Sequence, residues 1–237
     1  MTVGHSGVMS DTLTVEQRGL VRIVTMDDGK ANAFSLEVIN DLRGLLREAE
    51  ADDETRSLVI AGREGRFSGG FDLSAMRAGD VDAVVELVAA GGALVADLYA
   101  SPLTVVAAAT GHAVAAGALV LLGCDHRVGV DGPVKIGLNE VAIGMVLPPW
   151  ALIIARDRLS KRYFHSSTTN ARLFDGRTAV DAGFLDEVVA AESVVERAIE
   201  KATELSALVP AAYARTVEVV RGPVIAEMRA VDPRSIL

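Results

Sequence analysis

The stretch Val105-Val106-Ala107-Ala108-Ala109-Thr110-Gly111 indicates the fold class of this chain. Its first five residues are apolar and partly β-branched, which predicts a buried strand, and Thr110-Gly111 closes that strand. The segments that follow predict a short buried helix over residues 117–122 and another strand over 128–130. A strand, a helix and a strand in succession are typical of an α/β domain whose parallel or spiral strands are buried by helices.

Segments upstream of this stretch continue the same alternation. Residues 13–16 and 20–26 predict the two strands of a hairpin, and Ser35 can cap a helix whose apolar residues recur every three to four positions. The segments after that helix are predicted, in order, to form a strand, a loop and a second long helix: 58–61, 63–70 and 81–99.

The C-terminal part of the chain contains its own helix signals. Thr178-Ala179-Val180-Asp181 resembles a capping box, with Asp in place of the usual Glu, and predicts a helix that begins there and ends near Gly183. A last short strand is expected at 188–189. From Glu192 onward the chain is predicted to be helical, with Pro210 in the first turn of a separate helix.

Composition and the lack of a recognisable linker predict one folded domain. The 237 residues are 50% hydrophobic and 23% charged, which rules out a disordered chain. No segment rich in Pro, Ser or charge separates two cores. We therefore expect a core over 1–190, of which 1–10 are expected to be disordered, and a helical C-terminal region over 191–237 of the same domain.

Net charge and cysteine content limit the partners and the compartment. The 32 acidic and 23 basic residues leave a net charge of -9, whose field repels phosphate backbones and anionic lipid. Neither nucleic acid nor a membrane is therefore an expected partner. The one cysteine, Cys124, cannot form an internal disulfide, which fits a cytoplasmic protein, and no secretory signal or metal-ligating cluster is recognisable.

Three segments carry the residues that are candidates for chemistry. They are Phe67-Ser68-Gly69-Gly70-Phe71-Asp72-Leu73, the stretch 110–125, and Ile136-Gly137-Leu138-Asn139-Glu140. Each follows a predicted strand, and ligand-binding loops collect at strand ends of α/β sheets. The structural alternative for Ser68-Gly69-Gly70 is a tight turn, and the loop lacks the spacing of a dinucleotide or phosphate cradle.

Glu140 is the candidate proton-transfer group. It is the sole acidic residue between Asp131 and Asp157, and its neighbours in the sequence are apolar. Burial would raise the pKa of its carboxyl towards neutrality, where a carboxyl can both accept and return a proton. The alternative is a solvated carboxylate on a loop.

These segments together resemble the crotonase superfamily, also called the enoyl-CoA hydratase/isomerase family. Lys30-Ala31-Asn32-Ala33 is similar to an early family motif, residues 67–73 to its F-S-x-G-x-D-L motif, and residues 110–125 to its glycine-rich stretch. The resemblance spans nearly the whole chain. It implies a spiral of ββα units, a helical C-terminal region that supports homotrimers or dimers of trimers, an acyl-CoA thioester as substrate, and a place in fatty acid metabolism.

The resemblance also implies roles for individual residues. The backbone N–H groups of Phe71 and Ala116 would form the oxyanion hole for the thioester carbonyl, although Ala116 replaces the glycine usual there. Glu140 falls at the position of a catalytic glutamate. The positions that contact the CoA portion in the family correspond to Lys30, Ala31, Gly69, Asp72 and Leu73.

Leu119 is the informative departure from the family pattern. Hydratases of the family carry a first glutamate at this position and a second at that of Glu140, whereas isomerases that move a double bond from carbon 3 to carbon 2 use one glutamate. The resemblance therefore favours an isomerase that needs no metal or redox cofactor. The alternatives are a 2-enoyl-CoA hydratase, a non-catalytic acyl-CoA-binding protein, and a serine hydrolase that would use Ser68.

Overall fold

The computed structural model describes residues 11–72, 74 and 79–236. Within them, six strands form a main sheet in the order β1, β2, β4, β7, β9, β11. The first pair is an antiparallel hairpin in which Leu13 lies opposite Met26, and every other pair in this sheet is parallel. The main-sheet strands are β1 (Leu13–Arg18), β2 (Val21–Met26), β4 (Ser57–Ala61), β7 (Thr104–Ala109), β9 (His126–Val130) and β11 (Glu187–Val189).

Shorter strands pair beside the main sheet. Strands β10, β8 and β5 form one small parallel sheet, and β3 pairs with β6 in another. A main-sheet strand, one or two such short strands and a helix make up the repeating ββα unit of the domain. The short strands are β3 (Ala33–Phe34), β5 (Gly65–Ser68), β6 (Gly70–Phe71), β8 (Gly111–Val114) and β10 (Ile136–Gly137).

Eight α-helices connect or follow the strands in the described residues. They are α1 (Leu36–Ala51), α2 (Val81–Ala100), α3 (Ala116–Gly123), α4 (Pro149–Arg158), α5 (Phe164–Ser167), α6 (Gly176–Ala182), α7 (Val194–Leu205) and α8 (Pro210–Arg229). Short 3-10 helices occupy Val141–Ile143, Ala191–Ser193 and Pro233–Ile236. None of the helices in the described part of the chain is both long enough and apolar enough to cross a bilayer.

Both faces of the main sheet are buried, which explains why its central strands are almost wholly apolar. On β4, Val59 and Ala61 face one apolar cluster, whereas Leu58 and Ile60 face the other. Helix α7 covers the first cluster with Val194, Ala198, Ile199 and Ala202. The helix that begins the predicted region 191–237 thus packs directly on the sheet of the 1–190 core.

Most predicted elements are confirmed, and helix α1 begins as expected: the Val38 N–H donates to the Ser35 hydroxyl oxygen at 3.2 Å. The prediction of a loop over 63–70 is wrong, because β5 and β6 lie there and pair with distant partners. The expected disorder of residues 1–10 concerns a segment outside the described residues.

The predicted capping box is also wrong. Helix α6 begins at Gly176, and its N-cap is Asp175, whose carboxylate accepts the Thr178 N–H at 2.8 Å. Thr178 therefore lies in the first turn of this helix. Gly176 packs so closely against the Val130 carbonyl that a side chain at this position would overlap it. The predicted end is right, because Gly183 terminates α6 with φ 92°.

Candidate active site

The three candidate segments meet around one cleft of about 450 Å³. Strand β6 contributes Phe71, the start of α3 contributes Ala115 and Leu119, and the 3-10 turn after β10 contributes Glu140. The remaining described residues in its wall are almost entirely apolar: Val84, Val88, Ile143, Met145, Val146 and Pro148, together with Gly69, Gly144 and Asn139. A concave, apolar space with few polar groups is the usual form of a small-molecule site.

The start of α3 lies at this cleft, where Ala115 and Leu119 form part of the wall. Its N-cap is Ala115, which has φ 52° and ψ -124° and offers no side-chain hydrogen bond to the first turn. The first N–H groups of a helix have no partners within it, and they lie at the positive end of the helix dipole. Ala116, the first residue of α3, directly follows Ala115, which lines the cleft, and its N–H is one of the groups that the helix leaves without an internal partner.

Gly70 brings β6 against this helix start. A methyl group added at Gly70 would lie 3.0 Å from the Ala115 Cβ and 3.5 Å from the Ala116 nitrogen, and Gly70 has φ 100°. Asp72, two residues after Gly70, donates its N–H to the Phe34 carbonyl at 3.0 Å. Because alternate residues of a strand direct their N–H groups to opposite sides, the Phe71 N–H points away from β3.

Glu140 is buried, so the alternative of a solvated loop carboxylate is wrong. Glu140 is 6% exposed, and its side-chain Oε2 atom has no hydrogen-bond partner among the described residues. Burial raises the pKa of Glu140 to about 7. The backbone is held by the Ile143 and Met145 N–H groups, which donate to the Glu140 carbonyl oxygen at 3.0 and 2.9 Å.

Leu119 lines the same cleft as Glu140 and is 1% exposed. It lies in the first turn of α3 and presents a hydrocarbon side chain where a second carboxyl would be needed to hold water. Among the described residues of the cleft wall, Glu140 supplies the one carboxyl. The described wall of the site therefore combines one carboxyl with mostly apolar side chains.

Among the described residues predicted to contact CoA, one lines the cleft and the others do not. Gly69 lines it and donates its N–H to the Ala31 carbonyl at 2.8 Å. Lys30 is exposed, and Asp72 is half-buried with its Oδ1 accepting the Ser74 N–H. Neither Lys30, Ala31 nor Asp72 lines the cleft, and Leu73 lies outside the described residues.

The sequence analysis did not predict the structural roles of Asn32 and Ser68, which hold these segments together. Asn32 is buried with φ 49°, and its Nδ2 donates to the Met26 and Phe67 carbonyls at 2.8 and 3.2 Å. The Ser68 hydroxyl donates to the Asn32 carbonyl at 2.7 Å and accepts the Gly70 N–H at 3.2 Å. The residue type itself was the available signal for the backbone conformation at position 32, because asparagine is enriched among residues with positive φ.

The contacts of Ser68 argue against a serine hydrolase. Its side chain is completely buried, and its hydroxyl is committed to the backbone of Asn32 and Gly70. A nucleophilic serine must reach the substrate and an adjacent base. Ser68 instead connects the turn after β2 to the segment that carries Phe71.

Comparison with known proteins links this geometry to one family. Residues 16–230 match the profile described as Enoyl-CoA hydratase/isomerase. The human protein named enoyl-CoA delta isomerase 1, mitochondrial, is 31% identical over 197 residues, which are 79% of this chain and 63% of the relative. The chain thus spans somewhat less than two thirds of that relative's length.

Relatives that the match covers more completely include both hydratase and isomerase names. A putative enoyl-CoA hydratase of Thermus thermophilus is 29% identical over 211 residues, 85% of this chain and 81% of the relative. The crystal structure of an enoyl-CoA hydratase/isomerase family protein from Pseudomonas syringae is 37% identical and superposes with a TM-score of 0.93, covering 97% of this chain and all of the other.

Proposed function

The chain belongs to the enoyl-CoA hydratase/isomerase family and has the crotonase fold, and we propose that it moves the double bond of a 3-enoyl-CoA to the 2 position. One observation carries the choice of reaction. Among the described residues of its wall, the cleft has one carboxyl, the buried Glu140, together with the buried hydrocarbon side chain of Leu119. Such a site can transfer a proton between carbons, and the described residues of its wall supply no second carboxyl to activate water.

The proposed reaction begins with proton removal from carbon 2. The ionised Glu140 accepts this proton, and the electron pair of the C–H bond moves into the thioester, which becomes a dienolate. The N–H groups of Phe71 and Ala116 donate to the negatively charged oxygen and lower the energy of this intermediate. The packing of Gly70 beside the start of α3 supports this assignment, because a methyl group added at Gly70 would lie 3.0 Å from the Ala115 Cβ and 3.5 Å from the Ala116 nitrogen, which places the two N–H groups on neighbouring backbone segments.

The same carboxyl completes the reaction. Glu140 returns its proton to carbon 4, the electron pairs of the dienolate shift to give the double bond between carbons 2 and 3 and the thioester carbonyl, and the carboxylate is regenerated. Atoms and charge balance without water, metal or redox cofactor. A pKa of about 7 suits both steps, because a group titrating near the working pH accepts and releases a proton with similar ease.

The CoA portion of the substrate is proposed to leave the cleft over Gly69. Lys30 is exposed and directly precedes Ala31, whose carbonyl accepts the Gly69 N–H, and the Lys30 carbonyl accepts hydrogen bonds from the Arg63 guanidinium at 2.6 and 3.1 Å. Arg63 also lies 3.9 Å from an Asp27 carboxylate oxygen, so Lys30 is the cation that we propose for the phosphates of CoA. We propose that Ala31, Asp72 and Leu73 contribute to the same binding surface.

The deciding experiment measures 3-enoyl-CoA and 2-enoyl-CoA side by side. Isomerisation of the first with little hydration of the second is expected; hydration alone would indicate the hydratase, and binding without turnover the acyl-CoA-binding protein. Glu140→Gln should abolish isomerisation, a loss of more than about 100-fold in kcat, while CoA-thioester affinity stays similar. The control is Glu192→Gln, an exposed residue just before α7, on the far side of the main sheet.

A further inference from the structure

A second cavity lies beside the cleft, between α2, the first turn of α4 and the end of α8. We call it the inner cavity, and its volume is about 190 Å³. Its wall is mostly apolar, and the two charged residues in it, Arg229 and Asp232, belong to the exposed C-terminal part. The wall residues are Val88, Ala89, Gly92, Ala93, Ala96, Trp150, Met228, Arg229, Val231, Asp232 and Pro233.

The cleft and the inner cavity lie along one face of α2. Val84, Val88, Gly92 and Ala96 recur every four residues, so they share a helix face over about 18 Å. Val84 and Val88 line the cleft, whereas Val88, Gly92 and Ala96 line the inner cavity. Val88 therefore stands between the two spaces and is the one described residue that borders both.

Beyond Val88 this helix face carries only small side chains. At Gly92 an added methyl group would lie 2.9 Å from the Trp150 ring, so the missing side chain lets the indole reach α2. The Trp150 Nε1 atom is buried and has no partner in the described part of the chain. Because this nitrogen is occluded against Gly92, the indole contributes an apolar surface to the inner cavity.

We propose that the inner cavity receives the distal end of a long, unbranched acyl chain, and that Val88 determines how readily the chain passes into it. This inference rests on the proposed acyl-thioester function of the cleft. The thioester group stays at Phe71, Ala116 and Glu140, and the chain follows the α2 face past Val88 towards Trp150. Hydrocarbon is the matching ligand because the walls at Gly92, Ala93 and Ala96 leave room for methylene groups and offer them apolar contact.

The first test uses Trp150 as a reporter, since it is the one tryptophan of the chain. Saturated acyl-CoA thioesters bind but have no double bond to move. Dodecanoyl-CoA is expected to shift or quench the tryptophan emission, whereas butanoyl-CoA, at a concentration that occupies the cleft, leaves the emission close to that of the free protein. Equal changes with both thioesters, or none with bound dodecanoyl-CoA, would overturn the inference.

The second test fills the inner cavity without touching the cleft. Ala93→Leu is expected to lower the ratio of kcat/KM for a twelve-carbon over a four-carbon 3-enoyl-CoA at least tenfold, because each methylene removed from apolar contact costs about fourfold in affinity. Val88→Ala should raise that ratio. The matched control is Ala212→Leu, the same substitution at an exposed position of α8.

The outcomes separate this inference from the proposed function. If no 3-enoyl-CoA is turned over but the emission still depends on chain length, the isomerase proposal fails and the inner cavity remains an acyl site. If turnover is efficient and the chain-length ratio is the same in wild type, Ala93→Leu and Ala212→Leu, the isomerase stands and the inner cavity has no part in acyl binding. Activity towards the four-carbon substrate reports whether each variant is folded.

Discussion

Leu119 and Glu140 line the same cleft, the first from the opening turn of α3 and the second from the turn after β10, and both are almost completely buried. The pair combines one buried carboxyl with one hydrocarbon side chain. Under the proposed function, the carboxyl moves a proton between carbons of the bound thioester, and Leu119 offers water no hydrogen bond. Replacing Leu119 with a residue that carries a carboxyl is the most direct test of this choice between isomerase and hydratase.

Leu119→Glu should add hydration of 2-enoyl-CoA, because a second carboxyl would then face Glu140 across the cleft and could orient a water molecule. The expected gain is measurable but small, since the rest of the cleft is shaped for hydrocarbon. Hydration is measured as the loss of absorbance of the conjugated thioester. Leu119→Gln, which adds polarity without a titrating group, is the control. A folded Leu119→Glu protein with no hydration would show that more than this side chain is missing.

The pH dependence of isomerisation should report the ionisation of Glu140. The carboxyl must be ionised to accept the proton from carbon 2, and burial places its pKa at about 7. We expect kcat/KM to fall tenfold per pH unit below about 7 and to level off above it. A profile that is flat from pH 5 to pH 8 would contradict the assignment of Glu140 as the base.

The contribution of Glu140 to the free energy of unfolding should fall as the pH rises, whereas kcat/KM rises over the same range. The folded pKa of Glu140 lies above its ordinary value of 4.5, so the folded state binds this proton more tightly than the unfolded state. This contribution to stability is fully present below pH 4.5 and is lost as the pH rises through about 7. Glu140→Gln should therefore gain up to about 3 kcal/mol in unfolding free energy relative to wild type at pH 8, and little at pH 4.5. Urea unfolding at the two pH values measures the difference.

Gly70→Ala should impair catalysis more than folding. Its methyl group would press on Ala115, 3.0 Å away, and shift the segment that carries the Phe71 and Ala116 N–H groups. Misplacing one oxyanion donor costs about 100-fold in kcat. Gly19→Ala is the matched control, because Gly19 also has positive φ, in the β1–β2 turn, but its added methyl would contact nothing within 4 Å. Similar kcat values for the two variants would refute this role of Gly70.

Ser68→Ala should mainly reduce stability. It removes the hydroxyl that bonds both the Asn32 carbonyl and the Gly70 N–H, and leaves these buried groups without that partner, at a cost of about 1 to 3 kcal/mol. Turnover should persist, within about tenfold of wild type, because the hydroxyl does not reach the substrate. Denaturant unfolding and kcat are the two measurements, and Ser74→Ala at an exposed site serves as the control. Complete loss of turnover in a folded Ser68→Ala protein would revive a nucleophilic role.

Local patterns predicted the long elements and failed for the short ones. Helix α1 follows from its Ser35 cap and its apolar spacing, both of which are properties of neighbouring residues. Strands β5, β6 and β8 were missed because each has two to four residues and exists only through pairing with a distant segment. The helix-start signal at Thr178 failed because Asp175, three residues earlier, accepts the Thr178 N–H.

The sequence alone determined the α/β alternation, the family resemblance and the choice of Glu140, since strand and helix periodicity and motif spacing are local properties of the chain. Only the tertiary structure decided that Glu140 is buried rather than solvated, because the cleft in which it lies is assembled from distant segments, including Val84 and Leu119 on separate helices. The same holds for the approach of Gly70 to Ala116 and for the place of Val88 between the cleft and the inner cavity. Burial and close contact depend on which distant segments pack together, and that information emerges only when the whole core has formed.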